Sequence, residues 1–425
     1  MTYIERGTKH YWKSNLALFF GGFVTFSILY TTQPLMPIFS KHFGISPSVA
    51  SLSLSFSTGV LAIFMLIAAA ISDAVGRKHI MIFSMVASSI LTIITAFSPN
   101  FTTILLLRAL LGVVAAGVPS LAMTYVNEEY HPKSLGHVMG LYVSGTSIGG
   151  MYGRIVIGGI TDFFSWQIAF LFIGITSLII SFLFWKFLPD SRHFTAKRVS
   201  VSSFLQSLGG HLKNPGLVCI FAIAFLLMGG FVTMFNYIGY LLSEKPYSLS
   251  QSVIGSLFIV YIMGTFSSTW MGHLADTKGR AKVIMISAVI MLAGILLTLV
   301  PSLIIKIIAM AVFTFGFFGC HSVASGWVGD RAKQNKSQAS SLYLLFYYAG
   351  SSLVGAFGGY FWSIFGWSGI VGLISVLIAA SFVLTVISFA LEKKRNCKKR
   401  LLLSSSTIIF LLKKLSRSDL DSFLY

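Results

Sequence analysis

Two short stretches place a carboxylate, a flexible turn and a guanidinium in the same order. Residues 71–81 read ISDAVGRKHIM, and residues 274–285 read LADTKGRAKVIM. Asp73, Gly76 and Arg77 recur as Asp276, Gly279 and Arg280, each 203 positions further on. Both stretches lie between long apolar runs, so the chemistry they suit is an ion-pair clasp at the ends of membrane-crossing helices. Asp73 falls at a helix C-terminus, where the backbone dipole already leaves partial negative charge. A carboxylate there needs a cation or a row of donors. Glycine permits the sharp turn with positive φ, and Arg77 opens the next helix. Glu128 and Glu129, at the end of the fourth apolar run, are the expected partners of Arg77, and Asp330 is the expected partner of Arg280. Repetition at matched spacing argues for latches, one at the inner end of each half, closed when the outer face is open.

Other residues stand inside the apolar runs, where an ionisable group is costly and marks a site by default. Arg108 and Gln33 fall at comparable depth. A hydrogen bond between them, with Pro34 and Pro37 bending the first run, would pin an outer gate. The alternative is an arginine that orders its own run by bonding backbone carbonyls. Arg154 could bind an anionic group or reach outward to Asp162; the second is the expectation. His321 is the one histidine well inside an apolar run. An imidazole ordinarily titrates at about pH 6.5, so it can exchange protons across a physiological gradient, or it can pack as a hydrogen-bonded core residue. Phe235, Asn236, Tyr237 and Tyr240, with Tyr343, Tyr347 and Tyr348, offer flat faces plus amide and hydroxyl groups. Such a lining suits a polyhydroxylated or amphiphilic ligand, and Asn236 is the strongest of them because a buried amide needs a partner.

Several chemistries are excluded by what the chain lacks. All twelve acidic residues fall at the ends of apolar runs, in loops or in the tails, so no mid-membrane carboxylate is expected to carry protons. No Ser/His/Asp constellation, metal-ligand cluster or G-x-x-x-x-G-K-[ST] phosphate cradle occurs. The chain therefore reads as no enzyme, with no cofactor, no metal and no ATP drive, and an ion gradient as energy source. Cys219, Cys320 and Cys397 are scattered and form no framework.

The elements that must position these groups are long helices. The chain has 425 residues, 55% hydrophobic and 10% charged, against about 25% charged in soluble proteins. Stretches of about 20 apolar residues can cross a bilayer. They occur at 16–38, 49–71, 80–98, 102–126, 136–161 and 166–188, then at 215–240, 251–272, 282–300, 304–328, 339–362 and 367–391. The expected fold is an all-α membrane protein of twelve transmembrane helices in two pseudo-symmetric six-helix bundles. The halves are 1–188 and 215–391, joined by a basic linker, 189–214, and followed by a basic tail, 392–425. Of 31 Lys and Arg residues, all but Lys41, Lys245, Lys306, Arg108 and Arg154 fall on one side, which places both termini in the cytoplasm. The net charge of +19 is therefore topology and not a nucleic-acid site. Gly145, Gly150 and Gly153 reappear as Gly350, Gly355 and Gly358, shifted by 205. With Gly149, the first half carries a four-residue stripe that permits close helix approach, expected at the seam between halves. Duplicated six-span halves are the sequence sign of a secondary transporter with a site between them.

These residues resemble the major facilitator superfamily. Its G-x-x-x-D-x-x-G-R-[KR] signature is similar to AAAISDAVGRK, with Ala69 in place of the first glycine, and to MGHLADTKGR, which keeps it as Gly272. RALLG (108–112) resembles the R-x-x-x-G of the fourth span, and LPDSR (188–192) the P-E-S-x-R that ends the sixth. The order of segments over residues 10–395 looks like the sugar and drug efflux members. The resemblance implies alternating access in a bacterial inner membrane. It also implies a small organic substrate that is sugar-like or drug-like, export by proton antiport, and a monomer in contact with lipid. An importer or facilitator without proton coupling is the alternative. One departure weakens antiport: in GTSIGGMYGR, Gly150 and Arg154 stand where the G-x-x-x-G-P-x-x-G-G pattern has its proline and last glycine.

Overall fold

The computed structural model describes the backbone of residues 3–131, 134–191, 193–194, 201–332 and 334–421. Side chains are described for these except 73, 201–205, 337 and 394–421. The side chain of Asp73, the linker cations Arg192, Lys197 and Arg198, and the tail from 394 onward thus lie outside the described side chains.

Span 1 is Lys9–Leu29 followed by Thr32–Phe43. Spans 2 and 3 are Pro47–Val75 and Arg77–Thr95, and span 4 is Phe101–Ala115 with Gly117–Glu129. Spans 5 and 6 are Leu135–Phe163 and Trp166–Phe187, and span 7 is Pro215–Ser243. Span 8 joins Gln251–Ser256, a 3-10 turn Leu257–Tyr261 and Ile262–Lys278. Spans 9 and 10 are Arg280–Leu297 and Leu303–Arg331. Spans 11 and 12 share the helix Lys336–Asp421, divided at Gly366 where φ is 56°. Among the described residues, ten helical stretches are long and apolar enough to cross a membrane, the last of them holding spans 11 and 12. Span 5, its hydropathy diluted by glycine, serine and threonine, completes the twelve. A further helix, Val201–Leu212, lies between the two halves.

Local chemistry explains where the spans break. Proline has no N–H, and its ring clashes with the carbonyl four residues earlier. Pro34 and Pro119 put those clashes at Tyr30 and Ala115, next to the interruptions of spans 1 and 4. Gly76 (φ 101°) and Gly279 (φ 89°) take backbone conformations that L-residues avoid, turning span 2 into span 3 and span 8 into span 9.

The glycine stripe works within a half and not at the seam. β-Carbons on Gly145, Gly149 and Gly153 would collide with the carbonyls of Phe19, Phe23 and Ser27 on span 1. Gly350 meets Phe225 of span 7 in the same way. Gly355 and Gly358 lie under Asn236, Val232, Thr233 and Tyr237 of that span. The expectation failed because four-residue periodicity identifies a close helix contact without saying which helix fills it. Across the seam, Gly158 of span 5 packs on Gln251 and Gly255 of span 8, and Gly59 of span 2 packs on Ser352 of span 11.

Candidate functional site

The break in span 1 exposes carbonyls that a continuous helix would have used. Arg108 takes them. Its Nη1 donates to Ile28 O at 3.1 Å, its Nη2 to Leu29 O, and its Nε to Ser53 O of span 2 at 3.0 Å. It is 1% exposed. Gln33 is not its partner, so the outer-gate pairing of these two residues is corrected. Arg108 is the carbonyl-bonding arginine, and it binds the proline-broken turn to its neighbours.

Gln33 belongs instead to Arg154. Nε of Arg154 donates to Gln33 Oε1 at 2.8 Å, and Nη1 donates to Gly150 O one turn back at 2.6 Å. An arginine has only donors, so Gln33 must turn its oxygen toward it and its amide nitrogen away. That nitrogen donates to Asn236 Oδ1 at 2.8 Å, which leaves Asn236 Nδ2 buried without an acceptor among the described residues. Arg154, 2% exposed, does not reach outward to Asp162. That carboxylate accepts from the backbone N–H groups of Gln251 (2.9 Å) and Ser252 (2.7 Å). The guanidinium is held back by aromatic faces: Tyr30 at 4.3 Å and Phe258 and Tyr261 at 4.8 Å each. Residues three apart eclipse in a 3-10 turn, so the turn Leu257–Tyr261 presents Phe258 and Tyr261 to one cation together.

Tyr30, Phe258 and Tyr261 were missed from the sequence. The one available signal was Tyr30 standing four residues before a proline; nothing marked LFIVY as a 3-10 turn. Gly150, counted with the stripe, serves Arg154, since a β-carbon there would stand 3.2 Å from Nη1.

The remaining aromatic candidates divide into two groups. Tyr240 donates to Met36 O at 2.9 Å and meets Ser40 Oγ at 2.7 Å, both on span 1. Tyr237 donates to Gly355 O at 3.0 Å and is fully buried. These two knit helices together at the end away from the termini and do not line an open cavity. Their hydroxyls find carbonyls there because spans 1, 7 and 11 converge. His321 faces Tyr343, Nδ1 to hydroxyl 2.9 Å, and its ring lies 4.6 Å from that of Tyr347.

The hydrogen bonds crossing between the halves have a marked polarity. Besides Gln33–Asn236, Tyr240–Met36, Tyr240–Ser40 and the Asp162 pair, Ser48 bonds Ala356 O and Ser352 bonds Ser55 O. All lie between mid-depth and the end away from the termini. Among the described residues, no side-chain bond joins the two halves at the termini end.

At the termini end each half is clasped internally. Arg77 makes a forked pair with Glu128 (2.9 and 3.3 Å), also bonds Ser72, and lies over Phe194. Glu129 is not its partner. That carboxylate accepts from the backbone N–H of His193 at 3.0 Å, with the His193 ring at 3.4 Å. Lys78 donates to Asp190 at 2.9 Å, and that bond holds the exposed carboxyl below its ordinary range. In the second half Arg280 pairs with Asp330, while Asp276 is exposed and makes no bond among the described residues. Arg331, another residue missed, bonds Glu392 at 3.1 Å and Ser388 O at 2.6 Å. Arg77–Glu128 and Arg280–Asp330 are intact while the far end is knitted shut. They therefore do not form only when the far end is open, as the expected latches would. Each joins neighbouring spans of one half.

A model of the Major Facilitator Superfamily matches residues 18–266 and again 244–417. The chain belongs to that superfamily. It is 48% identical over 401 residues to the uncharacterized MFS-type transporter YybF of Bacillus subtilis (strain 168), covering 94% of this chain and 99% of that one. It is 44% identical over 381 residues to the inner membrane transport protein YnfM of Escherichia coli (strain K12), covering 90% and 91%. The crystal structure of a bacterial homolog to the human lysosomal transporter Spinster, inward-facing and occupied, matches with a TM-score of 0.72. That match has 15% identity over 91% of this chain and 98% of the other, and so speaks to fold alone. The protein is a multi-pass membrane transporter with the superfamily's twelve-helix fold, and its relatives' roles support a function other than enzyme catalysis.

Proposed function

We propose that the protein exports small organic solutes, sugar-like or drug-like, across the bacterial inner membrane by alternating access. The observation that carries this reading is the polarity of the cross-half bonds, knitted at one end and absent among described residues at the other. With both termini cytoplasmic, as the Lys/Arg distribution argues, that is a carrier open to the inside. The halves rock about the centre holding Arg154, Gln33 and Asn236. The pairs Arg77–Glu128 and Arg280–Asp330 stiffen the inner ends so that each half moves as a body. The turn glycines Gly76 and Gly279 set the angle of those ends, with Asp73 and Asp276 beside them. Exchange for protons falls to His321 and Tyr343, because the described carboxylates all stand at span ends.

That same placement of carboxylates favours a second reading, a facilitator or importer without proton coupling. Proteoliposomes carrying an internal pH-sensitive dye distinguish the two. An imposed pH gradient is challenged with pentoses, hexoses and aromatic amphiphiles of either charge. Dissipation by one class, lost in His321→Gln, is the expected result. Solute exchange with no proton movement would leave the facilitator. No movement of any solute would overturn transport of these classes altogether.

A further inference from the structure

We propose that Arg154 is the recognition point for a substrate anion, and that the substrate is a small monoanion, a carboxylate on a flat apolar body. The inference rests on the transport reading above and names the substrate class of that central site.

Arg154 is a buried cation without a counter-charge among the described residues. Of its three guanidinium nitrogens, Nε is taken by Gln33 and Nη1 by Gly150 O. Nη2 has no acceptor among the described residues. The carboxylate closest in sequence on its own helix, Asp162, lies eight residues on, about 12 Å along the axis, and is occupied by two backbone N–H groups. Ring faces attract a cation but accept no proton from it. Arg108 shows what a purely structural arginine looks like in this fold: all three of its nitrogens end on carbonyls.

The amides in line with Arg154 present donors onward. The relay from Arg154 through Gln33 to Asn236 runs one way, because each amide must turn its oxygen toward the donor before it. The relay ends on Asn236 Nδ2, a fully buried donor without an acceptor among the described residues. A group that only accepts fits such a centre, and an ionised carboxylate is one. One guanidinium balances one charge, which selects a monoanion over a dianion in a low-dielectric interior. Tyr30, Phe258 and Tyr261 supply flat apolar walls beside the charge.

Position adds an independent point. Tyr30, Gln33 and Gly150 come from the first half, and Phe258, Tyr261 and Asn236 from the second. The cation's shell is therefore split by the seam that rocking must open. An anion entering there would take over contacts that the protein loses as the halves part, so binding and rearrangement are linked through one residue.

The test uses the purified full-length chain in detergent and three probes of one shape: benzoate, benzamide and benzylamine, titrated calorimetrically. Benzoate is expected to bind at least about tenfold more tightly than benzamide, a difference of about 1.4 kcal/mol, and benzylamine more weakly than either. Arg154→Gln should abolish the preference, bringing benzoate to within about twofold of benzamide. Arg154→Lys keeps the charge without the fork and should retain a reduced preference. It also serves as the variant to read if Arg154→Gln fails to fold. Equal binding of the three probes by the unaltered protein, or an anion preference that survives Arg154→Gln, would overturn the proposal. So would exchange of neutral solutes in proteoliposomes by a protein that binds no carboxylate. Selective benzoate binding by a protein that moves no solute would instead sink the transport reading and leave the anion site standing.

Discussion

Arg108 and Arg154 are both buried inside spans of the first half, at 1% and 2% exposure, yet their surroundings differ in kind. Arg108 sits within one half, and its three donors end on the carbonyls of Ile28, Leu29 and Ser53. Ile28 O also accepts from Thr31 Oγ1 and Ser53 O from Ser57 Oγ. The guanidinium thus adds to carbonyls already bound within their own spans, while its own three donors are all satisfied. Arg154 sits where the two halves meet, with one amide, one carbonyl and three ring faces for company. The first arrangement is closed and has no reason to change. The second is incomplete on the protein's own atoms and depends on how the halves stand. Equal burial of the same residue type therefore separates a structural role from a functional one only when every donor is followed to its acceptor.

The largest expected effect breaks the closed arrangement. Arg108→Ala removes three buried bonds from a charged donor, each worth roughly 1.5–3 kcal/mol, and should abolish a monodisperse, folded protein in size-exclusion and thermal-unfolding measurements. Arg154→Gln should do the reverse. Replacing an unpaired buried charge by a neutral amide is often neutral or stabilising, so its melting temperature should hold while solute exchange in proteoliposomes falls at least about tenfold, or about 1.4 kcal/mol. If it unfolds as Arg108→Ala does, the distinction between the two arginines is lost.

Gln33→Leu removes the link between Arg154 and Asn236 and leaves Nε without an acceptor. A loss of roughly 1–3 kcal/mol in stability is expected, with a fall in exchange smaller than that of Arg154→Gln. An unchanged exchange rate would mean that the relay across the seam is idle.

The clasps sharpen the same lesson at the smallest scale. Arg77 is nearly buried, forked onto Glu128, and bonded to Ser72. Arg280 makes its pair with Asp330 at 28% and 58% side-chain exposure, where exposed ion pairs contribute about 0–1 kcal/mol. Thermal unfolding should therefore rank Arg77→Ala well below Arg280→Ala, with the latter within about 1 kcal/mol of the unaltered protein. Equal losses would show that the repeated motif contributes equally in both halves. The inequality has a visible source: the segment after span 6 returns to the first clasp, with Tyr125 bonding Pro189 O, Lys78 bonding Asp190 and Phe194 covering Arg77.

Much of the architecture was legible because lipid imposes a simple rule. Every backbone group within the bilayer must be satisfied internally, so long apolar runs become helices and their number can be read directly. The duplicated D-x-x-G-R stretches located both turns at the termini end, and Glu128 and Asp330 are the arginines' partners because charge at those helix ends had few places to go. Glu129 was misplaced beside Arg77, since adjacent helical residues point about 100° apart and only one could face span 3. Tyr237 and Tyr240 looked like cavity residues because their chemistry suits a ligand, but the same hydroxyls serve equally well to tie helix to helix.

Composition, periodicity and the internal repeat thus determined twelve helices, two halves and a charged clasp in each, because all three follow from local patterns and the solvent around them. Where Arg154 points was decided only in three dimensions. A long guanidinium has several reachable acceptors along its own helix, and the choice depends on how span 5 is rotated against span 1. It also depends on a 3-10 turn in span 8, more than a hundred residues away in sequence, that brings two aromatic rings to one side. Side-chain direction at a seam is a property of both surfaces, and only the folded chain contains both.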